Sequence, residues 1–282
     1  MKIETLAVIG AGGMGAGIAQ TAAASGYTVV LADKDEQHAA EGLARIRKRL
    51  DGKVATGKLG GTERDSLLAR IRIASGFEKF GDAELVIEAV AENEELKAKI
   101  FKALDAVCPA ETIFATNTSS ISITRLANAT ERPGRFIGMH FMNPAHVMKL
   151  VEIIPGLRTS PETVTEIGYV AETMGKIPVV VGDSPGFISN RILMPMINDA
   201  VCCLQEGIAS REDIDSIARL GANHPMGPLE LADFIGLDIC LEILVILHSE
   251  LGDKYRPCPL LRKMVAAGRL GRKSGEGFYE YR

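Results

Sequence analysis

The feature that most constrains the fold is a set of three glycines near the N-terminus, at positions 10, 12 and 15. An apolar run over residues 3–9 comes before them. A segment with a helical pattern, residues 13–25, begins between the second and the third of these glycines. The spacing therefore predicts a strand, a tight turn and a helix in direct succession. In such a turn the first glycine permits the bend, the second lets a diphosphate approach the backbone, and the third lets the helix pack on the strand.

The residues after this turn indicate which ligand it could hold. A second β-rich run, residues 27–32, leads to Asp33, about twenty residues past the glycines, where dinucleotide-binding domains place an acid. A carboxylate there would accept hydrogen bonds from the adenosine ribose and repel a 2′-phosphate, so the pattern favours NAD over NADP. The alternative is a glycine-rich turn without a ligand. The predicted cofactor-binding residues of this segment are Gly10, Gly12, Met14, Gly15 and Asp33.

Short β-rich runs alternate with longer helical patterns as far as residue 183, which is typical of a parallel sheet covered by helices on both faces. From Ser184 onward the pattern is helical, and Ser184-Pro185 predicts an N-cap followed by the first helical residue. We therefore predict two domains, residues 1–183 and 184–282. Strands are predicted at 3–9, 27–32, 84–90 and 112–116, helices at 13–25, 35–50 and 94–107, and breaks in the helical part at Gly207, 224–228 and Gly252.

Charge and cysteine content exclude several classes of function. The net charge is −4, so nothing attracts this chain generally to nucleic acid or to an anionic membrane. Its five cysteines are an odd number without metal-ligand spacing, which indicates a reducing cytoplasm and no metal site. No apolar stretch is long enough to span a bilayer. We expect neither a nucleic-acid nor a membrane partner.

A local excess of positive charge lies at residues 45–58, where six basic side chains accompany the single acid Asp51. One interpretation is a solvated helix face, which most charge runs are. The other is a clamp for the phosphates of a large anionic substrate, with Arg49, Lys53 and Lys58 as candidates.

The stretch GMHFMNPAHVMKLVEII, residues 138–154, places an imidazole and a carboxylate inside two strand-like apolar runs. Asn143-Pro144 predicts a turn between the runs. With the bend centred near His146, His140 and Glu152 are equally far from it and could meet across an antiparallel pair. A carboxylate beside a buried imidazole stabilises its protonated form and orients the ring, as a general base requires. The alternative is a core histidine beside a solvent-facing glutamate.

Seven motifs distributed over the whole chain carry a family resemblance: GAGGMGAGIA at 10–19, EAVAENEELK at 88–97, TNTSS at 116–120, GMHFMNPAHVMKLVEI at 138–153, DSPGFISNRIL at 183–193, NHPMGPLELADFIGLD at 223–238 and LGRKSGEGFYEY at 270–281. By these the chain resembles the 3-hydroxyacyl-CoA dehydrogenases, particularly the short bacterial 3-hydroxybutyryl-CoA dehydrogenases. The resemblance implies an α/β fold: a Rossmann-type doubly wound, mostly parallel sheet followed by a smaller all-helical domain that mediates homodimerisation. It also implies NAD-dependent interconversion of (3S)-3-hydroxyacyl-CoA and 3-ketoacyl-CoA, with a short acyl chain.

The resemblance also implies roles for particular residues. His140 would be the general acid and base and Glu152 its partner, while Ser119 and Asn190 would contact the substrate oxygen in a cleft between the domains. Three further residues would lie near the nicotinamide half of the cofactor: Glu92, Lys97 and Asn117. Without the resemblance, Glu92 to Lys97 is typical of a helix start, with acids first and a base later.

One departure from the family and three alternatives accompany this interpretation. Gly52 and Thr56 stand where bacterial members carry lysines that hold the CoA phosphates, so Lys53, Lys58 and Arg49 would have to replace them. A gulonate-type sugar-acid dehydrogenase of the same superfamily would share the His–Glu pair without needing a basic clamp. A non-catalytic NAD-binding relative would not need the four catalytic candidates. A lysine-dependent β-hydroxyacid dehydrogenase is disfavoured, because residues 184–207 contain no lysine.

Overall fold

The computed structural model describes residues 3–281, and the chain divides into two compact units on either side of the bond between Asp183 and Ser184. Each unit has a hydrophobic core of its own. We call them unit 1 and unit 2 and describe each by itself.

Unit 1 is built on one eight-stranded sheet. In the order of the sheet its strands run β3, β2, β1, β4, β5, β6, β7, β8. The pairs among β1 to β6 are parallel, β7 is antiparallel to β6, and β8 is parallel to β7. The predicted mostly parallel sheet is therefore confirmed. The strands are β1 (Thr5–Ile9), β2 (Thr28–Ala32), β3 (Ile71–Ala74), β4 (Leu85–Glu88), β5 (Ile113–Thr116), β6 (Phe136–Phe141), β7 (Leu150–Pro155) and β8 (Ile177–Val180).

The sheet lies at the centre of unit 1 because its strands are apolar on both faces. Side chains of β1, β4 and β5 such as Leu6, Ile87 and Phe114 are fully buried, as expected for parallel strands covered on both sides. Helices supply the cover: α1 (Gly13–Ala24), α2 (Glu36–Ala55), α3 (Gly61–Ala69), α4 (Glu94–Asp105), α5 (Ile123–Ala127) and α6 (Pro161–Thr173).

The second helix is longer than the sequence pattern predicts. It was expected to end at residue 50, but α2 continues to Ala55 and therefore carries Lys53 on its last turn. Its buried residues, Ala39, Gly42, Ile46 and Leu50, keep the spacing of one helical face. Residue 52 is an exposed glycine, which costs only about 1 kcal/mol inside a helix, and the packed face offsets this cost.

Unit 2 is all helical, as predicted. Its core gathers apolar side chains from four of its five helices, among them Met194, Leu229, Leu244 and Leu261, and the partly buried Ile214 of the fifth packs against it. Its helices are α7 (Ser189–Gln205), α8 (Arg211–Gly221), α9 (Pro228–Ile235), α10 (Leu237–Leu251) and α11 (Pro259–Ala266). Within residues 3–281, no helix of either unit combines the length and the apolar character needed to cross a membrane.

The start of unit 2 differs from the prediction. The Ser184-Pro185 pair does not begin a helix, because Gly186 and Phe187 adopt positive φ angles of 71° and 50° and turn the chain before α7 begins at Ser189. A side chain could not replace Gly186 easily, since a Cβ atom there would lie 2.9 Å from a methyl group of Leu247. Asn190 is consequently the second residue of α7 rather than one turn inside the helix.

A buried carboxylate joins the C-terminal segment to the helices of unit 2. Asp215 on α8 is fully buried and accepts hydrogen bonds from the backbone N–H groups of Leu229 (2.8 Å) and Glu230 (3.0 Å) at the start of α9. Its Oδ2 also accepts a bond of 2.8 Å from the hydroxyl of Tyr279. One side chain thus caps α9 and holds the chain terminus.

We expect Asp215→Ala to lower the free energy of unfolding by about 2 kcal/mol or more, because it leaves buried donors without an acceptor. Urea unfolding followed by circular dichroism measures the change. Glu212→Ala is the matched control on the same helix, where the side chain is exposed and only about 0.5 kcal/mol is expected. Equal effects of the two substitutions would contradict the role given to Asp215.

Candidate active site

The glycine turn leads from β1 into α1 and leaves little room at two of its glycines. A Cβ atom at Gly10, whose φ is +94°, would lie 2.5 Å from the carbonyl oxygen of Ala89, and one at Gly15 would lie 1.7 Å from that of Gly10. At Gly12, by contrast, no described residue comes within 4 Å of such an atom. The first and third glycines thus serve packing, and the middle one leaves the backbone open to a ligand.

The start of α1 fits a diphosphate. Gly12 is the N-cap residue and supplies no side-chain hydrogen bond, and the first turn of the helix carries no acidic side chain. The N–H groups of this turn and the positive end of the helix dipole therefore face an open position. This is the arrangement that dinucleotide phosphates occupy. Met14 lies in the same turn and packs against the core of unit 1.

Asp33 follows the last residue of β2 and lies beside the glycine turn. Its Oδ2 accepts a hydrogen bond of 2.6 Å from the N–H of Ala11, and its Oδ1 accepts one of 2.7 Å from Lys34. These bonds hold the carboxylate at the end of β2, where the sequence pattern predicts the ribose contact.

A buried ion cluster lies at the carboxyl edge of the sheet, the side at which β1 to β6 end. Lys97 on α4 is 1% exposed, and its Nζ lies 2.6 Å from Oε1 of Glu88 and 3.3 Å from Oε2 of Glu92. Glu88, the last residue of β4, also accepts a 2.7 Å bond from the hydroxyl of Thr116 at the end of β5. One ammonium is thus the counter-ion shared by two carboxylates, and Glu88 joins the ends of β4 and β5.

Glu92 holds the loop that carries Ser119. Its Oε1 accepts hydrogen bonds from the N–H groups of Ser119 (2.8 Å) and Ser120 (3.1 Å) and from the hydroxyl of Thr118 (2.5 Å). Burial opposes ionisation of Glu92, but the charge of Lys97 and these bonds outweigh it, so its pKa lies below the ordinary value. The loop is therefore fixed by a charged acceptor.

Asn117 connects the ends of β5 and β6. Its side-chain oxygen accepts a 2.8 Å hydrogen bond from the N–H of Phe141, the residue after His140. This bond orients the backbone on which the imidazole is carried. Asn117 thus lies close to the histidine, while its contact with a cofactor stays a prediction.

His140 and Glu152 are direct partners in the antiparallel pair of β6 and β7. The chain reverses after Asn143, and the predicted pairing of the two side chains is present: Nδ1 of His140 lies 2.8 Å from Oε2 of Glu152. Both residues are buried, with 6% and 2% of their surface exposed. A carboxylate at Nδ1 accepts a hydrogen bond from the N–H group at that position, which leaves Nε2 as the basic nitrogen of a neutral ring.

Comparison with known proteins gives the family of the chain. Residues 5–184 match the family model "3-hydroxyacyl-CoA dehydrogenase, NAD binding domain", and residues 186–281 match that of the family's C-terminal domain. The chain belongs to the 3-hydroxyacyl-CoA dehydrogenase family. The resemblance given by the seven motifs is thus confirmed, and unit 1 is the NAD-binding part of the chain.

Several relatives match from end to end. The probable 3-hydroxybutyryl-CoA dehydrogenase of Bacillus subtilis is 56% identical over 282 residues, which cover 100% of this chain and 98% of that protein. The 3-hydroxybutyryl-CoA dehydrogenase of Bradyrhizobium diazoefficiens is 51% identical, with 99% and 96% covered. The crystal structure of (S)-3-hydroxybutyryl-CoA dehydrogenase from Ralstonia eutropha superimposes with a TM-score of 0.96 at 48% identity and covers both chains fully.

Among the residues that this family resemblance marks as catalytic, three lie in unit 1 and one in unit 2. Ser119 lies on the loop after β5, His140 on β6 and Glu152 on β7, all at or near the carboxyl edge. Asn190 lies on the first turn of α7 and is 8% exposed. Within residues 3–281 no group of three or more His, Cys, Asp or Glu side chains is arranged to hold a metal ion.

The candidates for CoA binding are only partly brought together. Arg49 and Lys53 lie one turn apart on α2, and Nε of Arg49 donates a 2.8 Å bond to Oε1 of Gln20 on α1. Lys58 is exposed in the turn after α2. The one acid of the basic segment, Asp51, is paired with Arg64 at 2.9 Å.

Two residues near this site were not singled out in the sequence. His146, in the connection between β6 and β7, is acted on by the charges of Arg49 and Lys53. Lys176 donates hydrogen bonds to the carbonyl oxygens of Ala145 (2.6 Å) and Met148 (2.8 Å) in that connection. The position of His146 at the centre of the predicted bend was the only available signal.

We expect Lys97→Met to destabilise the protein by about 3–5 kcal/mol, because it leaves the carboxylate of Glu88 buried without its counter-ion. Thermal and urea unfolding measure the loss. Lys99→Met, at an exposed position of the same helix, is the control and should stay within about 0.5 kcal/mol of the parent. The double variant with Glu88→Gln should recover part of the loss; a loss that stays complete would argue against the charge pair as its cause.

Proposed function

We propose that this protein is an NAD-dependent dehydrogenase that interconverts (3S)-3-hydroxybutyryl-CoA and acetoacetyl-CoA. The observation that carries the proposal is the buried His140–Glu152 pair, 2.8 Å apart, in the same unit as a glycine turn suited to a dinucleotide. Family membership gives the reaction class, and the Bacillus, Bradyrhizobium and Ralstonia relatives, each named a 3-hydroxybutyryl-CoA dehydrogenase, support the short acyl chain.

In the oxidative direction, Nε2 of His140 accepts the proton of the C3 hydroxyl as hydride leaves C3. The nicotinamide, when bound, supplies the hydride chemistry. The carboxylate of Glu152 stabilises the imidazolium that forms and keeps the ring in place. For reduction of the ketone, the imidazolium returns the proton to the oxygen on C3.

Substrate and cofactor contacts complete the proposal. Ser119 and Asn190 would hydrogen-bond the oxygen on C3, with the Ser119 loop held by Glu92. Glu92, Lys97 and Asn117 would support the nicotinamide half of the cofactor, although Lys97 acts on Glu88 and Glu92 in the structure and would act through them. The diphosphate would lie at Gly12 and the adenosine ribose at Asp33.

A homodimer in the cytoplasm is part of the same proposal. Unit 2 exposes large apolar side chains, among them Ile192 (67%), Ile217 (68%) and Leu220 (87%), and such surface is typical of an interface. All five cysteines are free thiols, which fits a reducing compartment.

We expect His140→Gln to reduce kcat for acetoacetyl-CoA reduction by about 10²- to 10⁴-fold, the range that general acid–base catalysis contributes. The affinity for NADH should not change. Glu152→Gln should give a smaller loss, because the amide still orients the ring but no longer stabilises its charge. His248→Gln, a partly exposed histidine of unit 2, is the control.

Parallel assays with acetoacetyl-CoA and free acetoacetate test the substrate class. Turnover of the thioester alone supports the acyl-CoA substrate. Protein that binds NADH but does not reduce the thioester would contradict the proposal, and sugar acids would then be the next substrates to assay.

We expect Asp33→Ser to raise the KM for NADH about tenfold and to improve the use of NADPH, because it removes both the ribose acceptor and the charge that repels a 2′-phosphate. Steady-state kinetics with each cofactor measure the ratio. Glu36→Ser, at an exposed position at the start of α2, is the control. An unchanged preference would place the ribose elsewhere.

A further inference from the structure

Asp183, the last residue of unit 1, is bound to the start of α5 by both of its carboxylate oxygens. Its Oδ2 accepts hydrogen bonds from the hydroxyl of Ser122 (3.0 Å) and the N–H of Thr124 (2.8 Å). Its Oδ1 accepts one of 3.0 Å from the N–H of Ile123. Hydrogen bonds to a charged acceptor are roughly twice as strong as those between neutral groups. This contact therefore fixes the end of unit 1 to a segment 59 to 61 positions earlier in the chain.

Helix α5 directly follows the segment that carries Ser119. The helix has only five residues, Ile123–Ala127, and a helix of this length is not stable alone, so its place depends on its cap and on its buried face. Glu92 holds the first part of the Ser119 segment, and Asp183 holds the point at which the segment enters α5. Ser119 thus lies between two charged acceptors.

The chain after this contact is a hydrogen-bonded turn, residues 184–187. The N–H of its last residue donates a 2.8 Å bond to the carbonyl oxygen of its first. Its second residue is a proline and its third is Gly186, whose φ is +71°, as in type II turns. Nη1 of Arg191 on α7 donates a 3.0 Å bond to the hydroxyl of Ser184. The turn is therefore tied to the first turn of α7, which also carries Asn190.

We propose that Asp183 is a positioning residue for Ser119 and Asn190, the two side chains that would hold the oxygen on C3; this rests on the proposed function. Asp183 itself contacts neither substrate nor cofactor in this role. It ties the Ser119 segment to the last residue of unit 1, and the turn of residues 184–187 connects that fixed point to α7. A small displacement of either side chain weakens a hydrogen bond to the oxygen on which charge develops, and so slows the reaction.

We expect Asp183→Ala to lower kcat for acetoacetyl-CoA reduction about 10- to 100-fold, because the lost interaction acts mainly in the transition state. KM for the thioester and the affinity for NADH should change less than about twofold. Asp183→Asn, which keeps one acceptor oxygen, should lose less. The matched control is Ser160→Ala, which removes the N-cap bond to Thr163 at the start of α6 at a similar cost in stability. Equal effects of Asp183→Ala and Ser160→Ala on kcat would overturn the inference.

A combination of substitutions distinguishes positioning from a general loss of stability. If Asp183 acts through Ser119 and Asn190, its removal costs little once both of those side chains have been truncated. In Ser119→Ala/Asn190→Ala, we therefore expect Asp183→Ala to lower kcat less than about twofold. A loss in that background as large as in the parent protein would mean that Asp183 acts elsewhere, and it would overturn the inference.

Amide hydrogen exchange followed by mass spectrometry tests the same role without turnover. Asp183→Ala should speed exchange about fivefold or more in residues 117–124 and also in residues 184–190, whereas Ser160→Ala should not. Unchanged exchange in β1 to β5 verifies the fold. If the parent protein turns over neither thioester, the proposed function fails, and faster exchange in both segments still supports the role of Asp183. Unchanged exchange in either segment would overturn that role whatever the turnover.

Discussion

One buried ammonium supports the carboxyl edge on which the candidate active site is built. Lys97 forms ion pairs with Glu88 at the end of β4 and with Glu92, whose carboxylate in turn holds residues 118–120 after β5. A buried carboxylate without a counter-ion is strongly unfavourable, so the two acids persist because α4 brings Lys97 between them. The position of Ser119 is thus determined by a charge on a neighbouring helix.

The same edge explains how a mostly parallel sheet can place His140 and Glu152 opposite each other on antiparallel strands. β1, β4, β5 and β6 all end on this side, and β7 returns from it, so His140 lies beside both the loop after β5 and the strand that carries Glu152. Asn117 joins β5 to the backbone after His140. The reversal of direction after β6 therefore places a carboxylate against the imidazole while the other strand ends remain available to ligands.

Local patterns predicted much of this arrangement, and long-range contacts account for what they missed. The glycine turn, Asp33 and the His140–Glu152 pair follow from spacing within short segments. The bonds from Thr118 and Ser120 to Glu92 join residues 26 and 28 positions apart, which no pattern in one sequence reveals. The helix start predicted at Pro185 was wrong because Gly186 and Phe187 adopt left-handed conformations. Helix α2 is longer than predicted because the packing of its buried face outweighs the cost of a single glycine.

An acidic protein that binds a dinucleotide needs a local source of positive potential, and unit 1 contains two such sources of different kinds. At the start of α1 the potential comes from backbone N–H groups and the helix dipole, with no acidic side chain in the first turn to oppose it. Near His146 it comes from Arg49 and Lys53 of α2, and the one acid of that basic segment is paired with Arg64. The dipole acts over about one turn, so any positive potential further from the helix start has to come from side chains. A net charge of −4 is therefore compatible with an anionic cofactor, because the cofactor is recognised within a few ångströms rather than by the field of the whole chain.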